Sequence, residues 1–298
     1  MTDMRPSSAP VAVIGDALID ELRDPSGTRD FVGGAALNVA VGLARLGVQT
    51  TLIAMIGDDA DGARIAEFLD QHGVGFVRTI GPNGTSRAIS DRRAGEPRYV
   101  FNDAAQKRAI DFGPEAQQAI DEAPYTLVSC FPFDDLDQVD QLTASVPHDR
   151  RRLIVDPNPR SGMLHSRERF VQGFEAVTGF CELIKVGDDD ARILYGAGLD
   201  ELVSRLADAG VPHVVGTAGR DGAFVRSRSE IVRRPVADLP GDVIDTMGAG
   251  DAVLASVVES LVAAGEPDSD AAWGVVLDRA MRVAAATCRH EGALLRVP

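Results

Sequence analysis

Short runs of β-branched and aliphatic residues alternate along this chain with longer stretches in which apolar positions recur every three or four residues. Val11–Gly15, Thr51–Ile56, Tyr125–Cys130, Arg152–Asp156, Glu182–Val186 and His213–Thr217 read as strands, and the stretches between them read as helices. Repeated βαβ units of this kind build a mostly parallel sheet. AALNVAVGLARL, Ala35–Leu46, is apolar almost all round and is stopped by Gly47, so a buried helix is expected there. Near the C-terminus a short apolar strand at Val243-Ile244 is expected to lead through Gly248-Ala249-Gly250-Asp251 into the helical pattern AVLASVVESLVAAG.

Two stretches break the alternation, Ala17–Phe31 and Asn83–Asp103. In the second, apolar and polar residues alternate on either side of Ala94-Gly95-Glu96-Pro97, which reads as a hairpin. A small sheet projecting as a lid is expected. No repeat or linker is visible, so the 298 residues read as one domain, 1–298, with lid insertions at roughly 17–31 and 83–103.

Composition narrows the function. No run approaches the roughly 18 apolar residues that span a bilayer, and a net charge of -15 disfavours nucleic acid or anionic lipid as partner. A nucleotide stays open, because a phosphate site is a local arrangement of dipoles and cations. MTDMRPSSAP lacks the apolar core of a secretion signal, and Cys130, Cys181 and Cys288 are scattered, so reduced thiols and a cytoplasmic location are expected. The five histidines show no metal-ligand spacing. GDDADG (57–62) fails the calcium-loop register, since Gly57 and Phe68 fall where positions 1 and 12 need ligands. There is neither G-x-S-x-G nor a Walker A sequence.

The most informative segment is Gly248-Ala249-Gly250-Asp251. Glycines at a helix start bring backbone N–H groups and the positive end of the helix dipole to one point, an anion cradle. Asp251 falls in the first turn, where it can take a proton from a hydroxyl attacking a bound phosphate. A plain tight turn with a first-turn acid fits the same residues. Dinucleotide binding fits less well, because Val253 breaks G-x-G-x-x-G.

Other candidates lie at strand ends, where open α/β sheets bind ligands. Asp16 follows the first strand and can grip sugar hydroxyls or bond local amides. Gly33-Gly34 open the buried helix, whose Asn38 must bond backbone or a polar ligand. Asp156-Pro157-Asn158-Pro159-Arg160 is expected to leave its strand extended, with Arg160 as a substrate or phosphate clamp. Lys185-Val186-Gly187-Asp188-Asp189-Asp190 offers carboxylates that either hold Mg²⁺ through water or cap a helix. Thr217-Ala218-Gly219-Arg220-Asp221-Gly222 is either a nucleotide-facing loop or a hairpin turn.

Taken in order, DTMGAGD (245–251) and GGAALNVAVGLARLG (33–47) resemble the two signatures of the ribokinase (PfkB) family of carbohydrate kinases. The resemblance spans nearly the whole chain. It implies a three-layer α/β domain with a small β lid that often serves as a homodimer interface, and ATP-dependent phosphorylation of a sugar hydroxyl with Mg²⁺. By the same resemblance Asp251 is the base, Gly248, Ala249 and Gly250 the anion hole, and Asp16, Gly33, Gly34, Asn38 and Arg160 the sugar side. Lys185, Asp188, Thr217, Gly219 and Gly222 would lie along the nucleotide, and Asp245 at a monovalent-cation (K⁺) site. GDALIDE, LIKVGDDDA and DPNPR look most like bacterial fructokinases and 2-keto-3-deoxygluconate kinases. Ala35, Ala218 and Val253 depart from common Lys, Leu and Phe and leave the sugar open, as does the orientation of the lid residues Arg87, Arg98, Tyr99 and Asn102. A ribokinase or nucleoside kinase of the same family, a non-catalytic sugar- or nucleotide-binding protein and a nicotinamide-dependent oxidoreductase are the alternatives.

Overall fold

In the computed structural model, which describes residues 9–25, 27–91, 98–147, 152–227 and 230–298, the six strands from Val11–Gly15 to His213–Thr217 form, with ends within one residue of expectation. In chain order the strands are β1 (Val11–Gly15), β2 (Leu18–Asp24), β3 (Gly27–Gly33), β4 (Thr50–Ile56), β5 (Gly75–Ile80), β6 (Arg87–Asp91) and β7 (Arg98–Phe101). They continue with β8 (Tyr125–Ser129), β9 (Leu153–Asp156), β10 (Cys181–Gly187), β11 (His213–Thr217), β12 (Ala223–Ser227) and β13 (Glu230–Arg234).

The large sheet runs β13-β12-β11-β10-β9-β8-β1-β4-β5, parallel from β11 to β5, with β12 and β13 antiparallel at one edge. Strand alternation sorts its two faces. Val11 and Val13 point to a core shared with helices Ala35–Arg45, Ala60–Gln71, Ala249–Ala264 and Asp270–Thr287, whereas Ala12 and Ile14 point to one shared with Pro114–Glu122, Leu136–Ser145, Arg167–Val177 and Leu199–Asp208. The chain winds outward from β1 in both directions, so β1 borders the switch point at which open α/β sheets bind ligands.

The two interruptions form a second, four-stranded sheet, β3-β2-β6-β7. The hairpin expected at Ala94–Pro97 lies outside the described residues. Its stalk is tied to the main body by GDDADG: Asp59 caps helix Ala60–Gln71 through the Gly62 amide and accepts from Thr85 N–H and Oγ1 (2.8 and 2.6 Å), while Gly57 N–H donates to Thr85 Oγ1. Helix Ala35–Arg45 ends one residue short of expectation, with Leu46 as cap and Gly47 at φ 88°.

Two local expectations fail. Val243-Ile244 is not a strand. The pair is 61% and 65% exposed, and its backbone is anchored by the Ile244 amide to the Cys288 carbonyl (2.8 Å) at the end of the last helix instead of to a sheet edge. Nor do the prolines of 157–159 hold a fully extended exit: Asn158 sits at φ 40°, so the chain turns before Arg160.

Candidate functional site

Two helices open at glycines and converge at the C-terminal ends of the parallel strands. Helix Ala249–Ala264 starts at Gly248, φ 75°, with no side-chain cap, and a Cβ there would collide with the Ala293 carbonyl. Only glycine fits. Helix Ala35–Arg45 starts at Gly34, φ 113°, where a Cβ would lie 2.8 Å from the Asp16 carbonyl oxygen. The helices pack closely through Gly42, whose Cβ position is 3.1 Å from Ala255.

This packing brings Asn38 to Asp251: Asn38 Nδ2 donates to Asp251 Oδ2 at 2.9 Å, with both residues buried. The expected partner was backbone or a ligand, and the observed one is the candidate base. Asn38 Oδ1 has no hydrogen-bond partner among the described residues, so a hydroxyl donor is what this wall needs. Asp16 Oδ1 accepts from the Ala36 amide at 2.9 Å.

Burial, reinforced by Asp156, pushes Asp251 up to about 6, while Lys185, Asn38 and Arg160 pull the other way. Lys185 Nζ is paired with Asp156 Oδ1 at 3.2 Å, and Ser129 Oγ donates to the other Asp156 oxygen at 3.3 Å. Burial opposes the lysine charge, but Asp156, Asp190 and Asp251 outweigh it and raise the Lys185 pKa. Its Nζ lies 3.2 Å from the point a Gly250 Cβ would occupy, so Gly250 lets a buried cation stand against the helix start. Burial also raises Asp16, against the Ala36 amide and Arg160. Burial works against the Arg160 charge too, and Cys130, Asp251, Asp16 and Asp156 overcome it.

A cleft of about 710 Å³ joins these groups, within the size range of small-molecule sites. Of the residues singled out, Asp16, Gly34, Asn38, Arg160, Lys185, Asp188, Thr217, Gly219, Gly248, Ala249, Gly250 and Asp251 line it. Gly33, Gly222 and Asp245 are not among its lining residues. The Asp20 carboxylate occupies the space a Gly33 side chain would need, and Gly222, φ 92°, is a hairpin glycine whose Cβ would strike the Arg234 carbonyl. Asp245 accepts from the Met247 amide (3.0 Å) and the Gly292 amide (3.2 Å), tying the turn to the C-terminal segment. Arg98 and Tyr99 lie on β7, and their side chains lie outside the described residues. Arg87 and Asn102 serve structure: Arg87 is bound to Asp61, Glu21 and Asp30, and Asn102 to the Arg87 and Ala105 amides and the Thr85 carbonyl.

Thr217–Gly222 is a β11–β12 hairpin turn, and its Thr217 and Gly219 line the cleft. In the acidic run Asp190 accepts from the Gly187 amide at 2.6 Å and Asp189 pairs with Arg192 at 2.6 Å. Asp188 is left as the carboxylate best placed to meet a water-clad divalent cation. Sequence reading missed Asp20, which lines the cleft and is pushed to about 7 by burial and by Asp16. The signal was present, since Asp16, Leu18 and Asp20 share a strand-like period of two and all reach the cleft.

An anion cradle on one side, a hydroxyl-accepting wall on the other and a buried acid between them suit transfer of a phosphoryl group to an alcohol. The chain belongs to the pfkB family of carbohydrate kinases, whose family model matches residues 8–298. It is an ATP-dependent sugar kinase. A fructokinase of Klebsiella pneumoniae is 27% identical over 297 residues, covering 96% of this chain and 95% of its own length. Among solved structures, aminoimidazole riboside kinase of Salmonella enterica, complexed with aminoimidazole riboside and an ATP analog, superposes with TM-score 0.76 at 23% identity, covering 96% of this chain and 95% of its own. Vibrio cholerae O395 fructokinase in its fructose, ADP and potassium form gives TM-score 0.75 at 21% identity, with 97% and 94% covered. Both structures are similar in fold. No described helix is long and apolar enough to cross a membrane.

Proposed function

We propose that this chain phosphorylates a fructose-like sugar at a hydroxyl group, with Asp251 as general base. The observation that carries the reading is the position of Asp251, buried in the first turn of an uncapped helix and hydrogen-bonded across to Asn38 on the acceptor side. Asp16, Asp20 and Asn38 Oδ1 accept the sugar hydroxyls, and Arg160 neutralises the carboxylates around them. Asp251 takes the proton of the attacking hydroxyl. The amides at Gly248–Gly250 and the Lys185 ammonium meet the negative charge of the γ-phosphoryl group. Lys185, Asp188, Thr217 and Gly219 border the ATP side. Mg²⁺, held by water near Asp188, would supply further charge neutralisation at the phosphates.

The small sheet acts as the lid that excludes water. Phe31 and Val100, 37% and 47% exposed on its strands, support a homodimer through it. Cysteines held as thiols support a cytoplasmic setting. A K⁺ requirement through the Asp245 loop is read by repeating the assay with Na⁺ in place of K⁺.

The test is ADP release over fructose, ribose, 2-keto-3-deoxygluconate, phosphosugars and nucleosides. Fructose is expected to give the highest kcat/KM. Preference for a nucleoside or phosphosugar would overturn the acceptor assignment, and sugar binding without ADP release would make the chain a binding protein.

A further inference from the structure

At the opposite end of the large sheet, the starts of β10 and β11 set Glu182 beside His213, and Glu266, two residues beyond helix Ala249–Ala264, closes over them. His213 Nε2 lies 2.9 Å from Glu266 Oε1 and 3.5 Å from Glu182 Oε1. One ligand atom from each of the three lies within 4.8 Å of the others. The imidazole is 1% exposed and packs against Trp273, ring centroids 4.9 Å apart, while the Glu266 side chain is 46% exposed and leaves a route from solvent.

We propose that Glu182, His213 and Glu266 bind a divalent transition-metal ion of the zinc type, with water as the remaining ligand. The spacing is the first reason. Two donors each about 2.1 Å from an ion at a tetrahedral angle stand about 3.4 Å apart, and the two imidazole spacings, 2.9 and 3.5 Å, bracket that value. The donor set is the second. Two carboxylates and a neutral imidazole match a divalent charge, and a buried nitrogen with only two carboxylates suits zinc better than magnesium or calcium, which prefer six or more oxygens.

The site is remote from the cleft, which lies at the other ends of the same strands. An ion here would pin the end of helix Ala249–Ala264, whose first turn carries Asp251, to the strands that end near Lys185 and Thr217. Its role is structural. It stiffens the frame that carries the base and the cation without touching either substrate.

The test uses the full chain stripped with a chelator, then titrated with Zn²⁺ by calorimetry and with Co²⁺ by visible absorption. One ion per chain is expected, with the strong d–d bands of a low-coordinate Co²⁺ site. At a free Zn²⁺ concentration of about 100 times Kd, the unfolding equilibrium constant should fall roughly 100-fold, seen as a raised Tm. His213→Gln and Glu266→Gln should lose the bands and the Tm response while keeping sugar-kinase activity without zinc. Glu266→Gln, at the half-exposed member, keeps the test open if the buried variant does not fold. Absence of Zn²⁺ binding to the wild-type chain, or equal binding by Glu266→Gln, would overturn the proposal and leave the three side chains as a hydrogen-bonded cluster. Neither result bears on the kinase assignment.

Discussion

Helix Ala35–Arg45 and helix Ala249–Ala264 both begin at a glycine with positive φ, both lack a side-chain cap, and both are buried along most of their length. They differ in what meets their first turns. At the first helix the Asp16 carboxylate from the β1 exit accepts the Ala36 amide, so a negative charge of the protein already occupies that dipole end. At the second, Lys185 stands against the start and no capping side chain intrudes. On the proposed function, two helix starts of the same geometry thus serve opposite ligands: the first, with its carboxylate, the neutral hydroxyls, and the second, with its lysine, the phosphate. Asn38 and Asp251, one from each helix, meet where the two ligands would.

The sharpest way to break this contrast is Asp251→Asn, expected to lower kcat by about 1,000-fold or more, the upper part of the range for a lost general base. Sugar binding by calorimetry should survive, because the amide keeps the shape. Near-normal ADP release would remove Asp251 from the chemistry.

Next comes the pair of glycines. Gly248→Ala should cost about 100-fold in kcat, as losing one preorganised donor does. Gly34→Ala carries a left-handed strain of about 1–2 kcal/mol and should act on the sugar KM by about tenfold, with the ATP KM little changed. If both variants changed the same kinetic constant, the two helix starts would not be specialised.

The third concerns pH. In the proposed reaction Asp251 acts as the carboxylate, and burial raises its pKa to about 6, so kcat/KM should hold above that value and fall as pH drops through it. Lys185 opposes the rise. Lys185→Met should therefore move the acid limb of the profile to higher pH, and Asn38→Leu should move it the same way by less. An acid limb that stays in place in both would show that the limb reports another group.

The smallest effect is expected away from both helices. Arg87 joins β6 to Asp61 on the main body and to Glu21 and Asp30 on β2 and β3, while remaining partly exposed. Pairs of this exposure contribute about 0.3–1 kcal/mol each, so Arg87→Gln should lower Tm by about 3 °C. The phosphate side should be unaffected, with ATP KM unchanged in a coupled assay.

Much of this was legible in the residues. The period-two strands, the all-apolar helix and the two glycine turns are local features, set by backbone sterics and by the alternation of apolar positions, and they led to the fold and to the strand-end and helix-start part of the cleft lining. What escaped depended on neighbours distant in the chain. Asp20 looked like part of a lid strand because its burial against Asp16 and Gly33 is created by sheet pairing. Val243-Ile244 looked like a strand because apolar β-branched residues favour one, yet no sheet edge reaches it and the Cys288 carbonyl takes its amide. Asn158 looked extended because it precedes a proline, and the turn toward Arg160 prevailed.

The sequence by itself determined a mostly parallel α/β fold with a small added sheet and a glycine-opened helix start at Gly248–Gly250 with an acid beside it, because a glycine's freedom and a helix start act within a few residues. Only the tertiary structure decided that Asn38 holds Asp251 and that Lys185 stands against Gly250 and is balanced by Asp156. It also decided that burial and Asp156 raise the Asp251 pKa to about 6. Desolvation and charge–charge interaction act through space, and their strength depends on which groups the fold brings together and how far it excludes water from them.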